Sequence, residues 1–474
     1  MAPSSGSPAG TGGPRTPGWR PTLTLRGHGK WAMPLAFSIA GALVAMTLTG
    51  LGSTPTASAR PGGSAFGQAQ GSTATTRLMR GGKQTFRFAT FNDQKFWGGT
   101  LQLHKTIEGA QHGGIGPGLS PKEALALGLK VDVNALPKSL QDAIKNGQVN
   151  LDDPGVTLAL LKLNAVVGVK GFFNGNGNLS SVGIECALCH STVDNSLVPG
   201  IGHRLDGWAN RDLNVGAIIG FAPNLQPIAT LLHTDVATVQ KVLGAWGPGK
   251  FDAELLLDGK AFEPNGRTAA ALIPPAFGLA GVNLHTYTGW GSIPYWNAFV
   301  AVLEMHGQGT FFDPRLDNAK QFPIAAANGF GHVVAKPDLV TPKLPGLQAY
   351  ELSLRAPKPP AGSFDPAAAA RGKALFDGAA ECATCHVPPI FTQPGWNLVP
   401  SSAVGIGNFE ANRSPTHMLR TTPLAGLWTH QKGGFYHDGR FPTLLAVVKH
   451  YNSVFHLGLT RAQENDLVQY LLSI

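Results

Sequence analysis

All four cysteines of this 474-residue chain lie in two copies of one short pattern, Cys-x-x-Cys-His. The copies consist of Cys186, Cys189 and His190, and of Cys382, Cys385 and His386. This pattern is the attachment signature of c-type haem. Two thiols three positions apart can each form a thioether with one vinyl group of the same porphyrin, and the next residue places an imidazole against the iron. The sequence therefore predicts two covalently bound haem c groups, with the two histidines as iron ligands.

Three other chemistries use paired cysteines. A thioredoxin-like pair lies in a βαβ unit, which the sequence does not show, and has no use for the following histidine. A structural zinc site would require the two pairs to meet, although Cys186 and Cys382 are 196 positions apart. Disulfides are expected in exported proteins, but a C-x-x-C loop is a poor cross-link. Two copies that use every cysteine favour haem.

The first 59 residues have the organisation of a secretory signal peptide. They contain four basic residues and no acidic one, an apolar stretch over about residues 31–51, and small residues at Ala57 and Ala59. Cleavage is expected after Ala59. The alternative is an uncleaved anchor, because the apolar stretch approaches the ~20 residues that span a bilayer. The sequence predicts a periplasmic or secreted protein that contacts a membrane only if residues 31–51 are retained.

Composition and charge limit the function classes. The chain is 43% hydrophobic, which is enough for a sizeable core, and its 61 glycines and 36 prolines favour long irregular connections. The formal net charge is +9, and removal of the four basic residues of the signal peptide lowers it to +5. No basic run or basic–aromatic stripe follows, so nucleic acid is not an expected partner. The four propionates of two haems would cancel most of the remaining charge.

Helix signals surround the two motifs. Before the second motif, Asp365 and Pro366 can start a helix that continues through Phe376. A helix over residues 158–173 is expected before the first motif. Thr460 opens a capping box for a final helix, and Ser120 opens another in the region that precedes the first motif. These signals predict a mostly α protein with two cytochrome c-like domains in tandem, each with its first helix before the haem motif.

An internal repeat follows each motif at a common offset of 148 positions. It matches turn residues and one apolar helix face in Pro275, Gly278, Leu279, Gly291, Pro294, Ala298 and Val300 with Pro423, Gly426, Leu427, Gly439, Pro442, Ala446 and Val448. Glycine and proline fix backbone turns. The repeat predicts that each domain places a turn and a helix over the far face of its haem.

The predicted organisation has five segments. They are a signal peptide at 1–59, an N-terminal extension at 60–157, a first haem domain at 158–330, a Pro-rich linker at 331–360 and a second haem domain at 361–474. The first domain is enlarged, because 85 positions separate His190 from Pro275 whereas 37 separate His386 from Pro423.

The segments 420–427, 435–444 and 447–452 resemble the carboxy-terminal domain of bacterial dihaem cytochrome c peroxidases and MauG-type enzymes. The resemblance covers about 110 residues well. Residues 160–320 match through the motif and a general cytochrome pattern, and residues 60–157 match nothing in the family. In this family a residue on the helix after the His-Asp-Gly turn ligates the second haem. That position corresponds to Tyr451, which we favour over the adjacent His450, with Met418 as the next candidate.

For the first haem, the repeat places Leu303 at the equivalent position, and leucine cannot ligate iron. Met305 and His306 follow on the same helix and are candidate ligands. His203 is a third candidate, because its loop is similar to one that supplies a displaceable histidine in the family. The three remain open alternatives.

Peroxide cleavage needs a distal group that moves a proton between the two oxygen atoms, and the family uses a carboxylate near the first haem. Glu304 is the chosen catalytic candidate, together with His203, while Glu263 and Glu254 are also available. Three side chains are expected to contact propionates or the haem edge, namely Arg420, His437 and Arg440. Three tryptophans are candidates for an electron relay between the haems, namely Trp208, Trp246 and Trp290.

The resemblance implies a peroxidase-like oxidoreductase that receives electrons from a redox partner protein and uses hydrogen peroxide or another small oxidant. A non-catalytic electron-transfer cytochrome is one alternative, and a dihaem oxygenase of the rubber-cleaving kind is another. A calcium ion between the domains, as in some relatives, is left open.

Overall fold

The computed structural model describes residues 65–474, with side chains from residue 73 onward, and the predicted signal peptide lies outside this range. Five helices precede the first motif: α1 Ala65–Phe88, α2 Leu103–Glu108, α3 Pro121–Ala126, α4 Lys138–Lys145 and α5 Pro154–Lys162. Seven follow up to residue 328: α6 Ala187–His190, α7 Val215–Gly220, α8 Gln226–Leu231, α9 Val236–Trp246, α10 Leu255–Asp258, α11 Ile293–Phe299 and α12 Pro323–Asn328. The last five are α13 Leu344–Ser353, α14 Pro366–Asp377, α15 Phe409–Asn412, α16 Leu444–Val454 and α17 Arg461–Ser473.

Short strands pair two by two among these helices. In chain order they are β1 Val131–Asp132, β2 Val169–Phe173, β3 Leu179–Ile184, β4 Ser191–Val193, β5 Ile201–Gly202, β6 Arg204–Asp206, β7 Lys250–Phe251, β8 Ala271–Leu272, β9 Phe311–Phe312 and β10 His332–Val333. The pair β1–β5 is parallel, whereas β2–β3, β4–β6, β7–β8 and β9–β10 are antiparallel. The described chain is therefore mainly helical with small sheets, as the mostly α prediction requires. Its division into two tandem cytochrome domains stays a prediction.

The helix pair around the second motif forms as the sequence predicts. Asp365 caps α14 by accepting hydrogen bonds from two backbone amides, and Thr460 and Gln463 form a capping box at the start of α17. The two helices pack closely at Gly372, where a Cβ atom would lie 2.0 Å from the carbonyl oxygen of Asp466. Arg371 donates two hydrogen bonds to the Asp466 carboxylate from the same helix face. The predicted caps of both helices therefore form, and the two helices pack against each other.

The predicted helix over residues 158–173 is wrong in its second half. α5 ends at Lys162, and β2 occupies residues 169–173, where it pairs with β3. Asn164 and Gly168 both have positive φ values, 51° and 78°. A left-handed backbone ends a helix, and Asn and Gly adopt it at little cost. Val169 begins β2, and β-branched and aromatic residues favour a pleated strand.

The Pro-rich segment 331–360 contains the ten-residue helix α13. α13 packs against α1 at a pair of glycines, because a Cβ atom on Gly82 would overlap the backbone of Gly346. Asp206 also links α1 to α13, because its carboxylate accepts hydrogen bonds from Arg87 and Tyr350. Part of the predicted linker is thus packed against the N-terminal extension. Among the described residues, no helix combines the length and the apolar character needed to cross a membrane.

Apolar side chains gather in three cores that hold the motifs in place. The first core extends from Trp97 to Ile273 and contacts Cys189. The second contains Ala187 and the apolar face of α11, and Cys186 packs against it. The third joins α14, α16 and α17 around Cys382. Each motif therefore shares a core with the helix that follows it at the repeat, α11 for the first and α16 for the second.

Candidate haem-binding cavity

One cavity of about 510 Å³ is lined by both cysteine–histidine motifs. This volume lies within the roughly 300–1,000 Å³ of cofactor and small-molecule sites. Its walls are largely apolar side chains. All six motif residues line it, namely Cys186, Cys189, His190, Cys382, Cys385 and His386. The fold thus brings together two motifs that the sequence keeps almost 200 positions apart.

The first motif forms the single helical turn α6, with Cys186 at its N-cap. One turn carries both thiols to the same wall, and burial raises the pKa of Cys189 to about 12. His190 Nδ1 lies 3.1 Å from the carbonyl oxygen of Pro274, to which it can donate its proton. Such a bond fixes the tautomer and leaves the Nε2 lone pair free for a metal. Burial also lowers the pKa of His190 to about 4, so the ring is neutral as ligation requires.

The second motif repeats this geometry on a tighter turn. Cys382–Thr384 form a 3₁₀ turn, and burial raises the pKa of Cys382 to about 11. His386 Nδ1 lies 3.0 Å from the carbonyl oxygen of Phe391. Its pKa is lowered by burial, as for His190. Both histidines contact a backbone carbonyl through Nδ1, and Thr422 is a second backbone partner of His386. An Nδ1 contact of this kind makes Nε2 the nitrogen that would face a haem iron.

Two arginines provide the strongest test of whether the cavity fits a porphyrin. Arg211 and Arg420 both line it. Within residues 73–474, Nε and Nη1 of Arg211 and Nη1 of Arg420 are buried without a hydrogen-bond partner. Burial lowers the pKa of Arg420 to about 10. A buried guanidinium without an acidic partner is costly, and a propionate carboxylate would satisfy the open donors. The cavity residues therefore fit haem.

The structure shows the repeat as two equivalent turns. Isolated bridges join His285 to Gly291 and Phe435 to Phe441. Inside them, Thr286 and Tyr436 have φ values of 65° and 67°. Non-glycine residues rarely adopt this conformation, and β-branched threonine least of all. The two turns match at an offset of 150 positions, two more than the sequence alignment gave, although the preceding Gly278 and Gly426 keep the offset of 148.

The helices after these turns correct the predicted register. Ser292 and Thr443 occupy the N-cap positions of α11 and α16. A π-helix, Val300–Glu304, continues α11. Five cavity-lining positions on each helix have the same spacing and match at an offset of 151 positions. They are Ile293, Trp296, Asn297, Val300 and Glu304 on the first helix, and Leu444, Val447, Val448, Tyr451 and Phe455 on the second. The residue equivalent to Tyr451 is Val300. The assignment of Leu303 was wrong, because identities of small apolar residues gave a register three positions off.

Tyr451 lines the cavity beside the second motif, and its pKa is raised mainly by burial and also by nearby Cys382 and Cys385. The adjacent His450 does not line the cavity. Its Nε2 lies 2.8 Å from the carbonyl oxygen of Val404. This hydrogen bond engages the nitrogen atom that would otherwise bind iron. Met418 is not among the lining residues either. The placement favours Tyr451 among the three candidates for the second site.

The first-site candidates are dispersed. Glu304 and Met305 line the cavity, and Glu304 Oε1 is buried without a partner among the described residues. His306 stacks on Phe96 with ring centroids 3.5 Å apart, outside the lining. His203 is exposed, and its Nδ1 lies 3.1 Å from the side-chain oxygen of Asn134. Of the first-site candidates, Glu304 and Met305 therefore reach the cavity wall, whereas His203 and His306 do not.

Some of the remaining candidate residues line the cavity and others lie outside it. His437 lines the cavity, and burial lowers its pKa to about 4, whereas Arg440 stays outside and bonds to Asp438. Glu254 lines the cavity and Glu263 does not. None of the three candidate relay tryptophans, Trp208, Trp246 and Trp290, is a lining residue.

Sequence reasoning missed several lining residues that are distant from both motifs. They are Trp97, Arg211, Trp296, Glu351 and Glu410. Glu351 accepts a hydrogen bond from Asn297, 3.0 Å away, and burial raises its pKa to about 7. No local pattern marked these residues, because loops and short helices bring them to the cavity. In the described part of the chain, no group of three or more His, Cys, Asp or Glu side chains is arranged to hold a metal ion. Calcium also accepts backbone carbonyl ligands, so the question of a calcium ion stays open.

Comparison with known proteins adds little. No protein-family model and no curated protein matches the chain significantly. Among solved structures, the chain is similar to hydrazine synthase of Kuenenia stuttgartiensis, studied under 20 bar of xenon. The match has 16% sequence identity and a TM-score of 0.25, and it covers 45% of this chain and 76% of that one. A similarity this weak supports no conclusion about fold or function, so the proposal below depends on the cavity.

Proposed function

We propose that this chain is an exported dihaem c-type cytochrome with peroxidase-like oxidoreductase activity. The observation that carries the proposal is the shared cavity, in which both motifs present two thiols and a histidine whose Nδ1 contacts a backbone carbonyl. The unpartnered donors of Arg211 and Arg420 on the same walls add the contacts that propionates need. A redox partner protein would deliver electrons outside the cytoplasm, where the predicted signal peptide directs the chain.

The two sites differ on the helix that follows each turn. Bound haem would supply a redox-active iron that exchanges electrons and can bind a small oxidant. His190 and His386 would hold the irons through Nε2. Tyr451 offers a phenol oxygen at the second site, whereas its counterpart Val300 offers no ligand at the first. Tyr451 would cap the second site for electron transfer, and the first site would stay open to the oxidant unless Met305, which also lines the cavity, ligates its iron. A simple electron carrier does not need an open site.

Glu304 provides the proton chemistry of the open site. In the peroxidase reaction, hydrogen peroxide takes up two electrons and two protons to give two water molecules, so one O–O bond breaks and two O–H bonds form. The carboxyl of Glu304 lines the cavity, and burial raises its pKa well above the usual range. A protonated carboxyl can donate to the leaving oxygen. The carboxylate that results can accept a proton from the other oxygen.

Spectroscopy and kinetics on the haem-loaded protein test this function. We expect a high-spin electron paramagnetic resonance signal from the first site, a spectral change on addition of peroxide to the half-reduced protein, and peroxide consumption with a reduced donor. Glu304→Gln should slow consumption by roughly 10²–10⁴-fold, the usual contribution of a general acid–base group. Glu263→Gln is the matched control, because that side chain lies outside the cavity and bonds to Asn265. Two low-spin haems that do not respond to peroxide would identify an electron carrier instead.

A further inference from the structure

A cluster of buried acids on elements distant in sequence reaches the cavity wall. Arg413, at the C-cap of α15, is 1% exposed and is the cation at its centre. Its guanidinium pairs with Asp252 at 2.8 Å and with Asp258 at 2.9 Å. A weaker contact of 3.8 Å links Lys260 to Asp258. Together, Arg413 and Lys260 balance the charge of the two aspartates.

Three glutamates then lie between this ion-pair group and the cavity. Glu254, Glu304 and Glu410 all line the cavity, and they are 7%, 8% and 4% exposed. None of the three forms an ion pair with a Lys, Arg or His among the described residues. Two carboxylate oxygens of the cluster, Glu304 Oε1 and Asp252 Oδ2, are buried without a hydrogen-bond partner among the described residues. Each can therefore carry a proton or accept a hydrogen bond.

Electrostatics decides the protonation state of the glutamates. Three further negative charges beside a neutralised Arg413 and away from water would be strongly unfavourable. Burial, reinforced by the neighbouring Asp252 and Asp258, raises the pKa of Glu254 to about 7 and that of Glu410 well above its usual value. Arg413 opposes this effect for both. The other charged or titratable groups facing the pair are Glu304 and, on the side of Glu410, Tyr287.

We propose that Glu254 and Glu410 form a proton store that supplies the cavity during oxidant reduction. The inference depends on the proposed function and deepens it. Reduction of one peroxide to two waters consumes two protons, and two carboxylic acids facing the cavity can release that number. Each acid becomes a carboxylate beside Arg413, whose charge stabilises it, and is refilled from solvent between turnovers. Glu254 and Glu410 are separated by 156 positions, and Arg413 holds their two segments together.

Glutamine substitutions test the store without disturbing its charge, because glutamine has the shape and neutrality of the protonated acid. In the haem-loaded protein, Glu254→Gln and Glu410→Gln should each remove one protonated-carboxyl C=O band from the infrared spectrum at pH 5.5, below the pKa of both acids, and this band shifts in D₂O. Each variant should also slow steady-state peroxide consumption about tenfold or more and enlarge its solvent isotope effect. The peroxide-induced spectral change should stay within about twofold of wild type, because binding needs no stored proton.

Glu464→Gln is the matched control, because Glu464 is as buried but bonds to Asn452 on α16 and lies away from the cavity. It should leave the consumption rate unchanged. Unaltered carboxyl bands in both store variants would overturn the store, as would wild-type consumption rates in both. If wild-type protein fails to consume peroxide, the proposed function fails and the store loses its role. These outcomes distinguish an error in the store from an error in the function.

Discussion

Tyr451 and Val300 occupy the same cavity-lining position on two equivalent helices, 151 residues apart. Each lies eight residues after its N-cap, Thr443 or Ser292, and each follows a turn with the same left-handed backbone signature. The repeat therefore builds two matching walls and places a phenol on one and an isopropyl group on the other. Under the proposed function, we expect this difference to contribute to different roles for the two sites.

Replacement of Tyr451 should change one haem and leave the other unaltered. Tyr451→Phe keeps the ring that packs on Phe455, with centroids 5.6 Å apart, but removes the oxygen. We expect the absorption and paramagnetic resonance signals of one haem to shift while the second set stays constant. The measurement is a spectrum of each oxidised, haem-loaded variant.

His450→Gln is the control for this substitution. The His450 imidazole contacts the carbonyl of Val404, outside the cavity lining, so its replacement should preserve both haem signals. Two unchanged haems in Tyr451→Phe, or a shifted haem in His450→Gln, would show that the ligand assignment is incorrect.

Arg211 should stabilise the protein only when haem is attached. Its Nε and Nη1 have no partner among the described residues, and a propionate would give them one. We expect Arg211→Gln to lower the free energy of unfolding of the haem-loaded protein by about 1–3 kcal/mol, the cost of losing a buried charged hydrogen bond. In apoprotein the same change removes an unpaired buried cation and should not destabilise. Urea unfolding of both forms makes the comparison, and equal losses in both would rule out the propionate contact.

Replacement of Arg413 should lower the free energy of unfolding more than replacement of most other residues in the chain. Arg413→Met leaves Asp252 and Asp258 buried without their cation. Removal of one partner from a buried ion pair costs about 3–5 kcal/mol. The triple variant Arg413→Met/Asp252→Asn/Asp258→Asn should recover much of this loss, because no unpaired charge remains. Chemical denaturation measures both changes, and a loss below about 1 kcal/mol in the single variant would contradict the assignment.

Asp93 should make the protein less stable as pH rises. Burial raises its pKa from 3.8 to about 8, while one of its oxygens accepts a hydrogen bond from the Ile184 amide. The folded state therefore holds a proton that the unfolded state releases above pH 4. This contribution is fully present below pH 4 and is lost progressively up to about pH 8, by at most about 1.4 kcal/mol per pH unit.

Asp93→Asn should remove this dependence. Unfolding free energies measured at pH 5 and pH 8 should differ less in the variant than in wild type, and the variant should be the more stable of the two at pH 8. An identical pH dependence in both proteins would show that Asp93 does not retain its proton.

Local signals in the sequence predicted local structure well. The caps at Asp365, Thr460 and Ser120 all depend on residues within a few positions of one another. The repeat also predicted a turn and helix after each motif. Its register failed by three positions, because the matched residues were small and apolar, whereas the N-caps and the lining positions set the true alignment.

Long-range features could not be predicted in this way. Arg413 meets Asp252 and Asp258 across more than 150 positions, and Arg211 reaches the cavity from a loop without a recognisable pattern. Such contacts depend on how separate segments pack, which composition and periodicity do not encode. The prediction of a helix over residues 158–173 failed in its second half for a similar reason. The apolar residues of this segment fit either a helix or a strand, and pairing of β2 with β3 favours the strand.

The central claim is that two haems are attached through thioethers to one cavity. It is tested most directly by the intact mass of the exported protein from a host with haem c attachment machinery. We predict an increase of two haem masses over the processed polypeptide, one in a Cys186→Ala/Cys189→Ala variant, and one in a Cys382→Ala/Cys385→Ala variant. A colourless wild-type protein without added mass would contradict the account.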